Sequence, residues 1–379
     1  MINQVITSDL VKNSPDVKQH YKEILSATSR DMSGKRRNFK GGKGLGKERL
    51  GMINGRVYII GGLADTKVPS DVEVFIPHHT KLSRDPNTFV RNTFTPAVDD
   101  VTKTHSDDVK VMTSQLPVVT VECGGRNVTR SYGGGATVVD GAVYLVGGRS
   151  DSGVSDKLYQ LELHSQRYKE VGKVPVWCDH VTVTSSDKKV FVIGGYQLSD
   201  TGSLTPSSLV QIYDTASQEW TTGPELTVPR AHATSIGIDS GGGLASRVLV
   251  LGGYGTNKLS SVELITDGVS VENMPPMLKP RHAFCAAMVE GTIIALGGWN
   301  ERTVEKYDFR NKQWSLLKDF PKQRDCIQGE VCEGVLYVFG GVKKNKNVST
   351  IEKYDYERDS WRTVGQFMVP RLYSAVVVT

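Results

Sequence analysis

The stretch Phe284-Cys-Ala-Ala-Met-Val289-Glu-Gly-Thr-Ile293-Ile-Ala-Leu-Gly297-Gly298, followed by Tyr307-Asp308 and then Trp314, carries the pattern that decides the fold. Two apolar runs of strand length flank a Glu-Gly turn, and the second run ends on paired glycines. A third run ends in Tyr-Asp, a polar turn follows, and Trp314 leads a fourth strand. Four short strands joined by tight turns make one small antiparallel sheet. Paired glycines let a strand stop and turn where a β-carbon would clash or φ must be positive. A single sheet of this size cannot cover both of its faces, so such units must stack on one another.

The same unit recurs outward in both directions. Apolar strands run into Gly61-Gly62, Gly147-Gly148, Gly194-Gly195, Gly252-Gly253, Gly297-Gly298 and Gly340-Gly341, with spacings of 86, 47, 58, 45 and 43 residues between successive pairs. A period near 40–50 residues is that of propeller blades. Tyr213-Asp214 leads to Trp220 and Tyr354-Asp355 to Trp361, at the seven-residue offset that separates Tyr307 from Trp314. The Trp offers a large apolar face for packing between blades and an indole N–H to be satisfied nearby. Some units depart from the pattern. The second has Glu162-Leu163 with Tyr168 in the place of Trp, the fourth has Leu264-Ile265 and no Trp, and the first has Val72-Glu-Val-Phe75 and no Trp.

The interval of 86 residues holds a polar stretch, about 77–108, with no strand–Gly-Gly element, so it reads as an insertion in the first blade. Val109-Lys-Val-Met-Thr-Ser-Gln-Leu116 is expected to supply that blade's fourth strand. The last residues, Pro370 to Thr379, read as the opening strand of a unit with nothing after it. Pairing as the inner strand of the first blade would close the ring and remove a free edge. The expectation is an all-β, six-bladed propeller over residues 50–379, closed by the C-terminal strand.

The residues before the ring differ in character. Residues 1–50 hold 11 basic and 5 acidic side chains, a net of +6 within a chain of net +5, so 35 basic against 36 acidic side chains remain for the rest. The body is near neutral, which argues against nucleic-acid binding. No apolar run approaches the ~20 residues of a membrane-spanning helix, and no secretory leader is visible, so a cytoplasmic setting is expected. Ser14, Pro15 and Asp16 are suited to the start of a helix over 15–28, with Val17, Tyr21, Ile24 and Leu25 on one face. A basic, Gly-rich linker follows at 35–49. Its Gly41-x-x-x-x-Gly46-Lys47 imitates a phosphate loop, but Glu48 occupies the hydroxyl position and no strand precedes it. Five cysteines without a C-x-x-C pair give no zinc spacing, and Cys285, Cys326 and Cys332 read as small buried hydrophobes.

Strand–Gly-Gly, Tyr-Asp and Trp in register resemble the kelch repeat, over about residues 50 to 379. Asp9 to Asp16, the short helix and Met32 to Arg37 are similar to the last helical segment of a BACK domain, so 1–34 reads as a BACK-like remnant. The resemblance implies a protein-interaction propeller, the substrate-recognition half of a BTB–kelch ubiquitin-ligase adaptor, without its BTB domain. Cullin recruitment would belong to that missing part. An actin-binding or cytoskeletal kelch scaffold is the alternative.

In a propeller, the loops that converge on the axis form the usual binding surface. Two positions per unit point there: the residues before the first strand and those after the glycine pair. The first set comprises Arg130, Ser131 and Tyr132; Asp179 and His180; Arg230 and His232; Arg281 and His282; Arg324 and Asp325; and Arg371 and Tyr373. The second comprises Arg149, Tyr196, Tyr254, Trp299 and Asn300. Arginine and aromatic side chains supply binding hot spots, and Arg forks suit carboxylates, so a protein segment with acidic residues is the expected partner. In kelch units an Arg after Pro also braces the neighbouring loop through backbone carbonyls.

Enzymes exist on this fold, among them galactose oxidase-like copper proteins and sialic-acid mutarotases. His180, His232 and His282 are read as sitting at matching blade positions, at intervals of 52 and 50 residues, and are the candidates for metal ligands. No nucleophile, base and oxyanion donor come together in the pattern, so no catalysis, cofactor or metal is expected.

Overall fold

A computed structural model of the chain describes residues 57–60, 72–75, 118–121, 133–150, 153–162, 167–199, 202–238, 245–344, 346–366 and 375–378. The expected helix at 15–28, the linker at 35–49 and the insertion at 77–108 lie outside the described residues, which contain strands and turns but no helix. Six four-stranded antiparallel sheets are formed. Five are continuous blades, and the sixth is a composite of distant segments.

From inner to outer strand, blade I is Gly135–Val139, Ala142–Val146, Lys157–Glu162 and Arg167–Lys173. Blade II is Thr182–Ser186, Lys189–Ile193, Val210–Asp214 and Glu219–Thr222. Blade III is Thr234–Ile238, Arg247–Leu251, Val262–Thr266 and Ser270–Met274. Blade IV is Cys285–Val289, Thr292–Leu296, Val304–Asp308 and Gln313–Leu317. Blade V is Gln328–Cys332, Val335–Phe339, Thr350–Asp355 and Ser360–Gln366. The composite sheet has Ala375–Val378 innermost, then Val57–Ile60, Val72–Phe75 and Val118–Val121.

Two expectations are corrected by this arrangement. The expected six-bladed propeller is corrected: the described residues are all strand, and they form a ring of five continuous blades. The composite sheet joins its ends, with Ala375–Val378 lying against the inner strands of blades V and I. Its fourth strand is Val118–Val121 rather than 109–116. Val118-Val-Thr-Val121 is β-branched throughout, whereas the expected segment is interrupted by Lys110, Ser114 and Gln115.

The repeat marks have separate physical roles. Each Trp stands directly across the hairpin from its Tyr, as Tyr213↔Trp220, Tyr307↔Trp314 and Tyr354↔Trp361. Their ring centroids are 5.2, 5.2 and 4.6 Å apart. Trp314 Nε1 donates to Pro275 O of blade III at 2.9 Å, so this Trp packs back on the preceding blade and satisfies its one polar atom there. In blade I the same register pairs Leu161 with Tyr168, so Tyr168 does take the Trp position. The Asp after each Tyr caps the turn: Asp308 Oδ1 accepts from Arg310 N at 2.8 Å and Asn311 N at 3.2 Å. These amide donors hold the Asp308 carboxyl below the usual range, and Asp214 is lowered in the same way.

The glycine pairs are required by conformation and by space together. Gly341 has φ +90°, and a Cβ there would lie 2.6 Å from Asp325 O. The close approach puts the chain after the glycine beside the loop that enters the same blade's inner strand. Backbone bridges Asp179↔Tyr196, Ala231↔Tyr254 and Asp325↔Val342 follow from it. This is how residues in two separate loops of each blade reach one end of the ring.

Candidate functional site: the loop face around the axis

The three arginines preceding the inner strands of blades III, IV and V do not face the partner side. Arg230, Arg281 and Arg324 are among the most deeply buried side chains of the protein, at 0%, 1% and 1% exposure. Each meets a buried glutamate on the third strand of its own blade: Arg230 with Glu263, Arg281 with Glu305 at 2.7 Å, and Arg324 with Glu352. Each also donates to the carbonyl of the first glycine of the pair, as Arg281 Nη1 does to Gly297 O at 2.8 Å. The carboxylates are held in turn, Glu305 by Leu278 N at 2.6 Å and Lys279 N at 3.0 Å. Burial lowers the Arg230 guanidinium and Glu263 opposes that shift.

These arginines are therefore internal braces, which is the structural role that kelch-type Arg residues were expected to share. Blade II shows the neutral form of the same brace. Cys178 stands in the Arg position and Gln211 in the Glu position, and the Gln211 amide both accepts from Val176 N and donates to Val176 O at 2.8 Å. A signal for the pairing is present in the sequence: Ser261-Val-Glu263, Thr303-Val-Glu305 and Thr350-Ile-Glu352 recur in the blades that carry the Arg.

Two residues beyond each brace position, the chain turns into the inner strand through a left-handed residue. Gly133, His180, His232, Ala283 and Cys326 have φ of 74°, 55°, 53°, 50° and 56°. From His180 onward, the N–H donates to the carbonyl of its counterpart one blade earlier: His180 to Gly133 at 3.1 Å, His232 to His180 at 3.2 Å, Ala283 to His232 and Cys326 to Ala283, both at 3.0 Å. The result is an arc of amide–carbonyl bonds around the axis. His180 and His232 thus occupy equivalent positions, whereas His282 sits one residue earlier in its repeat, which corrects the expected match of all three.

The three histidines form a buried ring cluster with the aromatics that follow the glycine pairs. His180 and His232 have centroids 4.2 Å apart, and Tyr196 lies 6.2 and 5.6 Å from them. His282 lies 5.4 Å from Tyr254 and stacks on Trp299 at 6.0 Å. All six are less than 9% exposed. Burial, with Lys258 nearby, takes His282 down to about 3, so it is neutral at physiological pH. Among the described residues no group of three or more His, Cys, Asp or Glu side chains is placed to hold a metal ion.

Of the other expected rim residues, Asp179 is buried with Oδ1 accepting from His180 N at 3.0 Å. Asp325 Oδ1 accepts from Asn300 N at 3.1 Å, and Asn300 is exposed. Arg130, Ser131, Tyr132, Arg371, Tyr373 and the side chain of Arg149 lie outside the described residues. Exposed cations near these loops include Lys279, Lys322, Lys343, Lys344 and Lys346, none of them at the repeated Arg or aromatic positions. Lys343 and Lys346 are paired in a short hairpin after Gly341. Their signal was only local charge density, which repeat alignment filters out.

Comparison with known proteins agrees with this geometry. The Kelch motif family matches residues 178–227, 280–321 and 324–368. Kelch repeat and BTB domain-containing protein 2 of cowpox virus (strain Brighton Red) is 32% identical over 105 residues, 25% of this chain and 18% of that protein. Kelch-like protein 41a of Danio rerio is 25% identical over 218 residues, 55% of this chain and 35% of that protein. Kelch-like protein 40 of Xenopus tropicalis is 26% identical over 171 residues, 43% and 26% respectively. The chain thus spans about a third or less of the curated relatives it matches. Three kelch motifs fall on blades II, IV and V, and the chain resembles the propellers of kelch-like proteins.

Proposed function

We propose that the chain is a protein-recognition propeller and that its loop face takes a partner segment bearing acidic residues. The observation that supports this reading is the division of charge on that face. The arginines are neutralised internally by Glu263, Glu305 and Glu352, while Lys322, Lys343, Lys344 and Lys346 are exposed. The buried imidazole and aromatic cluster beneath the loops gives them a rigid floor, which limits the ordering cost of binding. By its likeness to the kelch-like proteins, the role is substrate recognition for a BTB–kelch ubiquitin-ligase adaptor, with cullin engagement supplied by a BTB domain.

Proximity labelling in cells tests the reading. The wild-type chain is compared with a Lys322→Glu, Lys343→Glu, Lys344→Glu, Lys346→Glu variant that retains its melting temperature. Loss of labelled proteins that share an acidic segment supports the assignment. An unchanged labelling profile overturns the lysine-rimmed face. Cosedimentation of the wild-type chain with actin filaments at physiological salt would instead favour a cytoskeletal scaffold.

A further inference from the structure

The connection that follows Gly341 in blade V is a short hairpin, Val342-Lys343 paired with Lys346-Asn347. Its base is fixed. Val342 is buried and exchanges two backbone bonds with Asp325, at 2.9 and 2.8 Å, and Val348 N donates to Gly341 O at 2.8 Å. Its tip is basic. Lys343 and Lys346 stand directly opposite one another, so their side chains leave the same face with Cβ atoms about 5 Å apart, a position in which like charges are destabilising. Lys344, in the turn, has φ +48°, a conformation that favours Gly or Asn. All three are exposed, and none makes an ion pair with another described residue. The repeat does not call for this charge. Blade II has no basic residue between Tyr196 and Pro206. Lys258 of blade III donates to Trp299 O at 2.7 Å, and Arg302 of blade IV pairs with Asp319 at 2.9 Å. The other charged groups bordering the hairpin are committed within the fold: Arg324 pairs with Glu352, Asp325 Oδ1 accepts from Asn300 N at 3.1 Å, and Glu301 Oε1 accepts from Arg302 N and Thr303 N at 2.8 and 2.9 Å. Lys322, in the entry loop of the same blade, adds a fourth exposed cation.

We propose that this hairpin binds a phosphate monoester, a phosphorylated serine or threonine in the partner's acidic segment, with Lys343 and Lys346 closing on its oxygens from two sides. Lys344 and Lys322 then meet neighbouring carboxylates of the segment. The inference rests on the reading of the loop face as a site for an acidic segment, and it names the acid that the opposed lysines select. A phosphate monoester carries about −1.5 to −2 charge on three acceptor oxygens. A carboxylate carries a single charge, so one phosphate neutralises an opposed lysine pair where one carboxylate does not. Lysine binds phosphate as a point charge, without the fixed fork that arginine needs. A nucleic acid or a lipid surface would call for a basic field wider than one hairpin, and beyond residue 50 the chain carries 35 basic against 36 acidic side chains. The phosphate takes its second proton near a pH of about 6, so affinity must fall as pH drops through that value. A carboxylate, ionised down to about pH 4, would keep its affinity over the same range.

The test uses the full 379-residue chain and two small probes, N-acetyl-O-phosphoserine amide and N-acetylglutamate amide, with binding read from NMR shifts of the hairpin amides. The phosphoserine probe is expected to bind about tenfold more tightly than the glutamate probe and to weaken about tenfold from about pH 7.5 to about pH 5. Lys343→Gln with Lys346→Gln should abolish the preference, while Lys279→Gln should leave it unchanged. Equal affinity for the two probes, or phosphoserine affinity that does not change with pH, overturns the phosphate assignment and leaves the acidic-segment reading standing. Both comparisons use the wild-type chain and require no variant to fold. No shift at the hairpin with either probe overturns the site itself, and the proximity labelling decides the wider reading separately. Tighter binding of phosphatidylcholine–phosphatidylserine vesicles through the same lysines would assign the hairpin to a lipid surface and overturn the proposal.

Discussion

At the scale of single residues, the arginine–glutamate braces are where charge and stability are most tightly coupled. Glu305→Ala leaves Arg281 charged and buried without its counter-ion, and a loss of about 3–5 kcal/mol is expected by urea denaturation. Replacing both partners, Arg281→Met with Glu305→Leu, should recover only part of that loss: the uncompensated charge is gone, but Leu278 N, Lys279 N and Gly297 O lose their partners. Blade II, with Cys178 and Gln211, already stands as a natural neutral brace. Glu330, on the inner strand of blade V, behaves in the opposite sense. Burial raises its folded-state carboxyl to about 7, so its contribution is most favourable below the unfolded value of about 4.3 and is lost as pH rises through 7. Glu330→Gln should therefore leave stability near pH 4 unchanged and raise it near pH 8, as measured by thermal midpoint.

At the scale of the blade, the Tyr-Asp and Trp marks tie each outer hairpin to the blade before it. Trp314 contributes both a buried ring and the bond to Pro275 O. Trp314→Ala should cost about 3–5 kcal/mol, and the loss should spread across the interface of blades III and IV. Hydrogen exchange should show faster opening in Ser270–Met274 as well as in blade IV. The turn-capping aspartates give the blade an acid limit. Because Asp308 has a depressed folded-state pKa, its contribution is present above the unfolded value near 4 and disappears as pH falls through the folded value. Asp308→Ala should accordingly flatten the loss of stability between about pH 5 and 3, measured by urea midpoint.

At the scale of the whole molecule, closure depends on one strand. Ala375–Val378 pairs with Val57–Ile60 in register, Val57↔Val378 to Ile60↔Ala375, and lies beside blades V and I. A chain ending at Gln366 would leave those inner strands uncovered and the edge of Val57–Ile60 unpaired. Calorimetry should show a lower and broader transition, and light scattering should show association. An unchanged single transition would mean that the five continuous blades hold together without closure.

The unit itself was readable from residues alone, because what defines it is local. Gly-Gly ends a strand within one turn, Tyr-Asp-x5-Trp spans one hairpin, and the period is counted along the chain. Closure by the last strand was readable too, since an orphan opening strand has few other partners. The direction of the arginines was not. Arg230 and Glu263 are 33 residues apart, and the inward turn of the guanidinium is fixed by contacts made only in the folded blade, to Glu263 and to Gly252 O. The histidine register was misplaced by one residue because the left-handed turn, rather than residue type, sets the equivalent position. The axial channel exists only once inner strands from separate stretches of the chain meet. Sequence determined the repeat, since strand ends and hairpins are short-range. Tertiary structure decided which charged groups are spent on the fold and which remain for a partner, since that depends on contacts far apart in the chain.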